Sequence, residues 1–574
     1  MKDAAPHMIT HPVVTEVTAR IVDRSIASRR RYLDRIYADQ SDGPARMSLP
    51  GSNLAHGVAA GTPDDEHALR GRAHPDIAVV SAYNDLLAVP PYRDLPGLLR
   101  DVVADSGGVA QFAGGVPALS DGVVRGQPGS ELSLFSRDVI AMSTAIALSH
   151  NMFDGALLLG AGDEVVPGMV IGALAFGHLP VVVVPAGPGP AGPPRTGSDQ
   201  LLMEVMGLHL PGTSFVPQDT PLRAAFTVAA GRRVVELTGP RGGTAPIGAI
   251  VDERSVVNGV AALLATGGAT SHTLHLVAIA AAAGIDLRWD DFADLSAVVP
   301  TLARIHPDGD ADAGAFHAAG GTAFLIGELL DAGVLHDDVI TVAGHGLRRH
   351  YCRRPALDDA GAIRWKQRGS GSGDTTVLRS ATDPFAADGS LRILSGPLGR
   401  AVVRLPATGR GHRVVRAPAR VYDSPEDVLV DLRTGELDRD AVVVVRFQGP
   451  RAGGMPELST LVPALDTLAE RGYSVAVVTD GRLSAAPGTV PVAVHLTPEA
   501  AVDGPLSRIA DGDLIELDTE AGRLDILIDP VTFHDRAPAV RTAPSLGSGR
   551  ELFGCFRAAV GPADRGATVF GTGR

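Results

Sequence analysis

Two residue types that often carry enzyme chemistry are nearly missing. The 574-residue chain holds two cysteines, Cys352 and Cys555, and two lysines, Lys2 and Lys366. Two distant thiols build no disulfide framework and no cysteine-based metal cluster. Two lysines leave almost no candidate for a Schiff base, a P-loop lysine or a carbamylated lysine. No run of Lys or Arg stands out, and the net charge is −14. That excludes nucleic acid and an anionic membrane surface as expected partners. No apolar run reaches membrane-spanning length before Gly, Pro or an acid interrupts it. The N-terminal "MKDAAPHMITHPVV" lacks a charged-then-apolar leader pattern, so a cytoplasmic protein is expected.

The remaining composition is that of a globular chain, with 45% hydrophobic and 20% charged residues. Its length exceeds what one core usually holds, so two or more domains are expected. In 12–40, Val14, Val17, Ile21 and Ile26 fall near one face of a helix. "IAVVSAYND" (77–85) reads as a strand ending in a polar loop. "ALLLG" (156–160), "GMVIGALAFGH" (168–178) and "LPVVVVPAG" (179–187) read as strand, helix and strand, a βαβ unit that implies a parallel sheet. Ligands bind such sheets at the carboxyl ends of the strands, where Asp163 and Glu164 fall. Gly189–Gln200 reads as an exposed Gly/Pro-rich loop. Residues 353–393 are polar and read as irregular. The domain boundary belongs there, with an N-terminal α/β domain over 1–375 and a C-terminal domain over 390–574. In the second, "AVVVVRFQGP", "YSVAVVTDGR" and a hairpin turning at Glu520-Ala521-Gly522 predict a β-rich, barrel-like unit.

Several stretches together carry a resemblance. They are "SNLAHG" (52–57), "AGGVPALSDGVVRGQPGSELSLFSRDVIAMS" (113–143), "LSHNMFDGALLLGAGDEVVPG" (148–168), "VVNGVAALLATGGATSHTLHLVA" (256–278), "VVVRFQGPRAGGMPEL" (443–458), "VTDGRLSAAPGTVPVAVHLTPEA" (478–500) and "GSGRELF" (547–553). In this order, over nearly the whole chain, they resemble the dihydroxy-acid and sugar-acid dehydratase family, its 6-phosphogluconate branch most closely. The resemblance implies removal of water from a 2,3-dihydroxy acid to give a 2-keto acid, and a homodimer or higher homo-oligomer. It implies Mg²⁺ on the substrate's carboxylate and 2-hydroxyl, and an iron–sulfur cluster as Lewis acid on the 3-hydroxyl. A serine alkoxide takes the C2 proton. By position, Ser484 matches that serine, while Asp121, Asp163 and Glu457 match Mg²⁺ ligands. Hard oxygen donors suit Mg²⁺ or Mn²⁺.

The sequence departs from the family where the cofactors sit. The family's Cys-Asp-Lys turn reads Gly162-Asp163-Glu164, its Cys-Asp-Gly reads Ser120-Asp121-Gly122, and Gly51 stands near a third cysteine position. A cluster needs several converging thiolates, so no iron–sulfur cluster is expected. Glu164 would offer a carboxylate where a carbamylated lysine would otherwise bind the metal. Each residue also has a plainer reading. Asp163 and Glu164 fit a solvated turn at a helix N-terminus, Ser484 a turn serine, His272 a structural histidine, and "LLATGGATSH" a helix C-cap and restart instead of an anion site. Two functions remain open. One is a cluster-free, Mg²⁺-dependent lyase, performing dehydration, elimination or isomerisation on a polyhydroxy or phosphorylated sugar acid. The other is a non-catalytic relative serving as a binding or partner subunit.

Overall fold

A computed structural model describes all residues except 1–8, 41–42, 88–89, 190–196, 240–244, 307, 370, 406–412, 484–488, 542–546, 548 and 572–574. Helix α1 (Pro12–Ala38) buries Val14, Val17, Ile21, Ser25, Arg29, Tyr32 and Ile36, a stripe at helical spacing. Ile26, assigned to that stripe from sequence, is 53% exposed. The face runs through Ser25 and Arg29, whose polar groups bond to backbone carbonyls.

The first layer is a four-stranded parallel sheet of β1 (Asp76–Ser81), β2 (Val109–Gly115), β3 (Gly155–Leu159) and β4 (Val181–Val184), in the order β2-β1-β3-β4. Strands β1, β3 and β4 are buried along their whole length, so their sequences do not alternate, and only Asp76 and Ser81 at the two ends of β1 are polar. Helix α2 (Ser133–Leu148) precedes β3, and α3 (Val165–Leu174) joins β3 to β4. The expected βαβ unit is therefore present, with β3 and β4 in parallel register from Ala156↔Val181.

Helices α2 and α3 approach closely because α3 has glycine at the crossing. A Cβ on Gly168 would stand 2.5 Å from the Arg137 carbonyl oxygen, and one on Gly172 would meet the Ala141 carbonyl oxygen and lie 2.7 Å from Thr144 Cβ. Neither neighbour is a flexible side-chain end. A Gly172→Ala variant is expected to lose about 1–3 kcal/mol through overpacking, measured by urea denaturation.

Beyond the sheet, α4 (Ser198–Val205), α5 (Glu253–Thr266) and α6 (His272–Ala282) form a buried helical layer. Helix α4 corrects one expectation, since Ser198, Asp199 and Gln200 are its first buried turn, not the end of an exposed loop. The segment expected to be irregular also holds an antiparallel ladder, Arg353–Leu357 against Ile363–Gln367. Its turn is closed by Asp358, which accepts from the Ala360 and Ala362 amides. Because Ile363–Gln367 is largely exposed, no apolar alternation marked it.

The second unit is a closed eight-stranded barrel. Its strands are β5 (Leu391–Gly396), β6 (Gly399–Arg404), β7 (Val414–Tyr422), β8 (Ala441–Val445), β9 (Val475–Thr479), β10 (Val492–Thr497), β11 (Leu514–Asp518) and β12 (Arg523–Ile526), in the order β6-β10-β9-β8-β7-β11-β12-β5. Strands β7 to β10 pair in parallel. In β8, Val442 and Val444 join the barrel's interior core, while Ala441, Val443 and Val445 pack in the larger core outside it. Both faces are buried, which explains the unbroken valine run. The fold is α/β with a barrel-forming C-terminal half, as the sequence indicated. No described helix is long and apolar enough to cross a membrane.

Candidate functional site

The turn after β3 opens the site. Gly162 has φ +123°, a conformation that side-chain-bearing residues rarely adopt, and its amide donates to Asp199 Oδ2 at 2.8 Å. Asp163 follows, and Glu164 is the N-cap residue of α3. The strand end thus carries two adjacent acids, as the strand–turn–helix pattern predicts. A carboxylate at a helix N-terminus is favoured by the helix dipole.

The acids divide between two partners. Glu164 and Asp121 meet Arg482, which enters from the loop after β9. Arg482 Nη1 donates to Glu164 Oε1, and Nη2 lies 3.5 Å from Asp121 Oδ1. Nη2 also donates to Ser133 Oγ at 2.7 Å, and that hydroxyl in turn donates to Asp121 Oδ1. Nε donates to the Met455 carbonyl at 2.8 Å. Arg482 is 2% exposed and Glu164 5%, whereas about a third of the Asp121 side chain, 36%, is open. Asp163 instead faces His272, with Oδ1 3.3 Å from Nε2, at the start of α6.

Glu457 arrives from the C-terminal half. It pairs with Arg482 in a parallel β-bridge, and the Leu458 amide donates to the Arg482 carbonyl at 3.1 Å. Arg404, at the end of β6, carries its charge toward Asp308, Glu457 and Asp163 and donates to the Gly268 carbonyl at 2.9 Å. Site residues therefore come from both halves of the chain.

Electrostatics follow from this packing. Burial holds the Glu164 carboxyl well above the usual range, and the neighbouring Asp121 adds to the shift against the pull of Arg482. For Asp121, burial pushes upward, but Arg482 and the hydrogen bonds with Glu164 and Ser133 win and leave it below its ordinary value. Burial, then the charge of Asp163, raises Asp199. Burial disfavours the Arg482 cation, yet Glu164, Asp121 and Glu457 outweigh it and raise its pKa.

Ser484 lies outside the described residues. Leu483, just before it, accepts from Thr270 Oγ1 at 3.0 Å, which brings the loop against the segment leading into α6. The glycine pair before that helix serves as a cap. Gly267 has φ +63° and its amide bonds to the Leu263 carbonyl.

The two thiols and the site's carboxylates are arranged as follows. Cys352 is buried, its thiol pushed up to about 12 by burial, and Cys555 is exposed far along the chain. Neither fits a site that needs converging thiolates. Among the described residues, no group of three or more His, Cys, Asp or Glu side chains is arranged to hold a metal ion. A guanidinium bridges Asp121 and Glu164 instead. A unit charge at 4 Å already repels another by about 4 kcal/mol at an effective dielectric of 20, and a dication by about twice that. Sequence reasoning missed Arg482, although it lies two residues before Ser484 in "TDGRLS". It also left His272 as a structural residue.

Behind the Arg482 loop sits a second acid pair. Asp480 accepts from the Gln448 and Ala500 amides at 2.8 and 2.9 Å, and Glu499 accepts from the Arg451 and Ala452 amides. Burial raises Asp480 from 3.8 to about 6, and burial together with Asp480 raises Glu499 from 4.5 to about 7. The folded state keeps protons that the unfolded chain releases, so their contribution to stability is full below the unfolded values. It is lost as pH rises through about 6 and 7. A Glu499→Gln variant is expected to flatten the fall in urea midpoint over that window relative to wild type. An unchanged slope would contradict this.

Comparison with known proteins extends these observations. Residues 74–199 and 195–350 match the model of the dihydroxy-acid/6-phosphogluconate dehydratase N-terminal domain, and 376–567 match that of the C-terminal domain. A phosphogluconate dehydratase of Pseudomonas aeruginosa is 50% identical over 602 residues, covering 98% of each chain. Its counterpart in Escherichia coli is 46% identical, over 97% of this chain and 99% of the relative. A dihydroxy-acid dehydratase of Ignicoccus hospitalis is 32% identical, over 80% and 88%.

Proposed function

Since the chain belongs to the dihydroxy-acid/6-phosphogluconate dehydratase family, we propose that it is a cluster-free lyase acting on a polyhydroxy or phosphorylated sugar acid. Its reaction is dehydration, elimination of a better leaving group than hydroxide, or isomerisation. The observation that carries this reading is the Asp163–His272 pair at the β3 end, one residue from Glu164, which the buried Arg482 grips. A sugar-acid elimination needs a proton donor at the leaving oxygen and fixed positive charge beside the developing enediolate. His272 fits the first role, held by Asp163, and Arg482 with Arg404 the second.

In the dehydration form, the C2–H bond breaks and its proton passes to the Ser484 alkoxide. The released pair forms C2=C3 as C3–O breaks. His272 gives a proton to the departing oxygen, which leaves as water. The enol then becomes the 2-keto acid. In this reading no step passes through a cluster or a metal ion; the absence of a three-donor group among the described residues supports it.

The charge pairing within the cleft also favours a second reading. Glu164 and Arg482 satisfy one another, as expected of a subunit that keeps the fold without turnover. The test is a panel of aldonic acids and their phosphates, followed by a carbonyl reagent for 2-keto product and by calorimetry for binding. Saturable turnover supports the lyase. Binding without turnover supports the second reading, and neither overturns both.

A further inference from the structure

From the Arg482 contacts we infer that this guanidinium is a built-in replacement for a divalent cation, and that the site is complete without Mg²⁺ or Mn²⁺. The carboxylates that the sequence assigns to a metal are Asp121, Asp163, Glu164 and Glu457. Arg482 bridges the two that share its pocket, directly to Glu164 and both directly and through Ser133 Oγ to Asp121. It is held at both ends. Nε is tied to the Met455 carbonyl, and its backbone is tied to the Glu457–Leu458 strand by a bridge and an amide bond. A surface arginine could swing aside for an incoming ion. This one is 2% exposed and engaged by side-chain groups from the turn after β3, the Asp121 turn and α2, besides the carbonyl.

The remaining two acids have basic partners of their own. Asp163 is against His272, and both Asp163 and Glu457 lie within the field of Arg404. Charge that a metal would balance is therefore balanced by the chain. The glutamate in the Gly162-Asp163-Glu164 turn makes this possible, because its short arm places a carboxylate on the guanidinium. A planar fork matches a carboxylate in geometry as well as charge. The inference concerns the resting site and stands whether or not the protein turns over a sugar acid.

The experiment uses the full chain, stripped with a chelator and dialysed. Mg²⁺ and Mn²⁺ are titrated while Tm and heat are recorded, and bound metal is measured by mass spectrometry. Wild type is expected to hold no stoichiometric metal and to show no saturable Tm rise. Arg482→Gln, which leaves Asp121 and Glu164 without their cation, is expected to gain a saturable, Mg²⁺- or Mn²⁺-dependent rise in Tm. One tightly held ion per wild-type chain overturns the inference. So does a folded Arg482→Gln variant that stays indifferent to both ions, since Arg482 would then fill no latent metal site. If that variant does not fold, Mn²⁺ paramagnetic resonance on wild type decides. An undiminished free-ion signal supports the inference, and a saturable loss of signal overturns it.

Discussion

A His272→Gln variant is expected to fold normally and to turn over sugar acid about 10²–10⁴-fold more slowly, an effect typical of losing a positioned proton donor. The backbone alone holds this helix start. The His272 amide bonds to the Ala269 carbonyl and the helix continues through Ala282 regardless of the side chain. Glutamine still donates to Asp163 Oδ1, which His272 Nε2 now faces at 3.3 Å. What it cannot do is carry a transferable proton. The loss therefore falls on kcat with KM little changed, and substrates with leaving groups that need no protonation are spared. If hydroxyl and better leaving groups suffer equally, His272 is not the donor.

The largest expected loss of stability comes from Arg137→Met, about 3–5 kcal/mol in urea or guanidinium unfolding. Arg137 is fully buried on α2. It pairs with Asp138 at 2.9 Å and donates to the Gly566 and Ala567 carbonyls at 2.9 and 2.8 Å. Asp138 in turn accepts from Thr568 Oγ1 and the Val569 amide. Methionine fills much of the volume but leaves two buried carbonyls and a buried carboxylate short of donors. The C-terminal segment should then become protease-sensitive before the rest of the protein unfolds. Arg70 is the control. It is half exposed and paired with Glu66 four residues before it, and its loss should cost about 0–1 kcal/mol.

Elements whose cause is local were legible in the sequence. The parallel sheet announced itself because β1, β3 and β4 are buried on both faces, which fills their centres with apolar residues. The barrel did so through the valines of β8 and β9, and the acid-bearing turn through its place between a strand and a helix. The ladder at 353–367 was not legible because its exposed side chains leave no apolar rhythm. Arg482 was not legible for a different reason. A buried arginine is explained only by its partners, and Glu164 lies 318 residues away in the chain. His272 looked structural because Asp163, the residue that gives it a role, is likewise distant in sequence. The family resemblance placed Asp121, Asp163, Glu164 and Glu457 near one another, but it could not say which cation they would face.

The Arg482–Glu164 pair also sets an order of events during synthesis. At about 5–20 residues per second, the sequence separation of 318 takes roughly 15–60 s to be synthesised. Throughout that interval the nascent α/β half carries Glu164 and Asp121 without the Arg482 guanidinium. That half can form its sheet early, but its cleft cannot close until the barrel's Arg482 loop has been made. A ribosome-bound chain halted before residue 482 should therefore expose this cleft to protease or chaperone, and one released at full length should not.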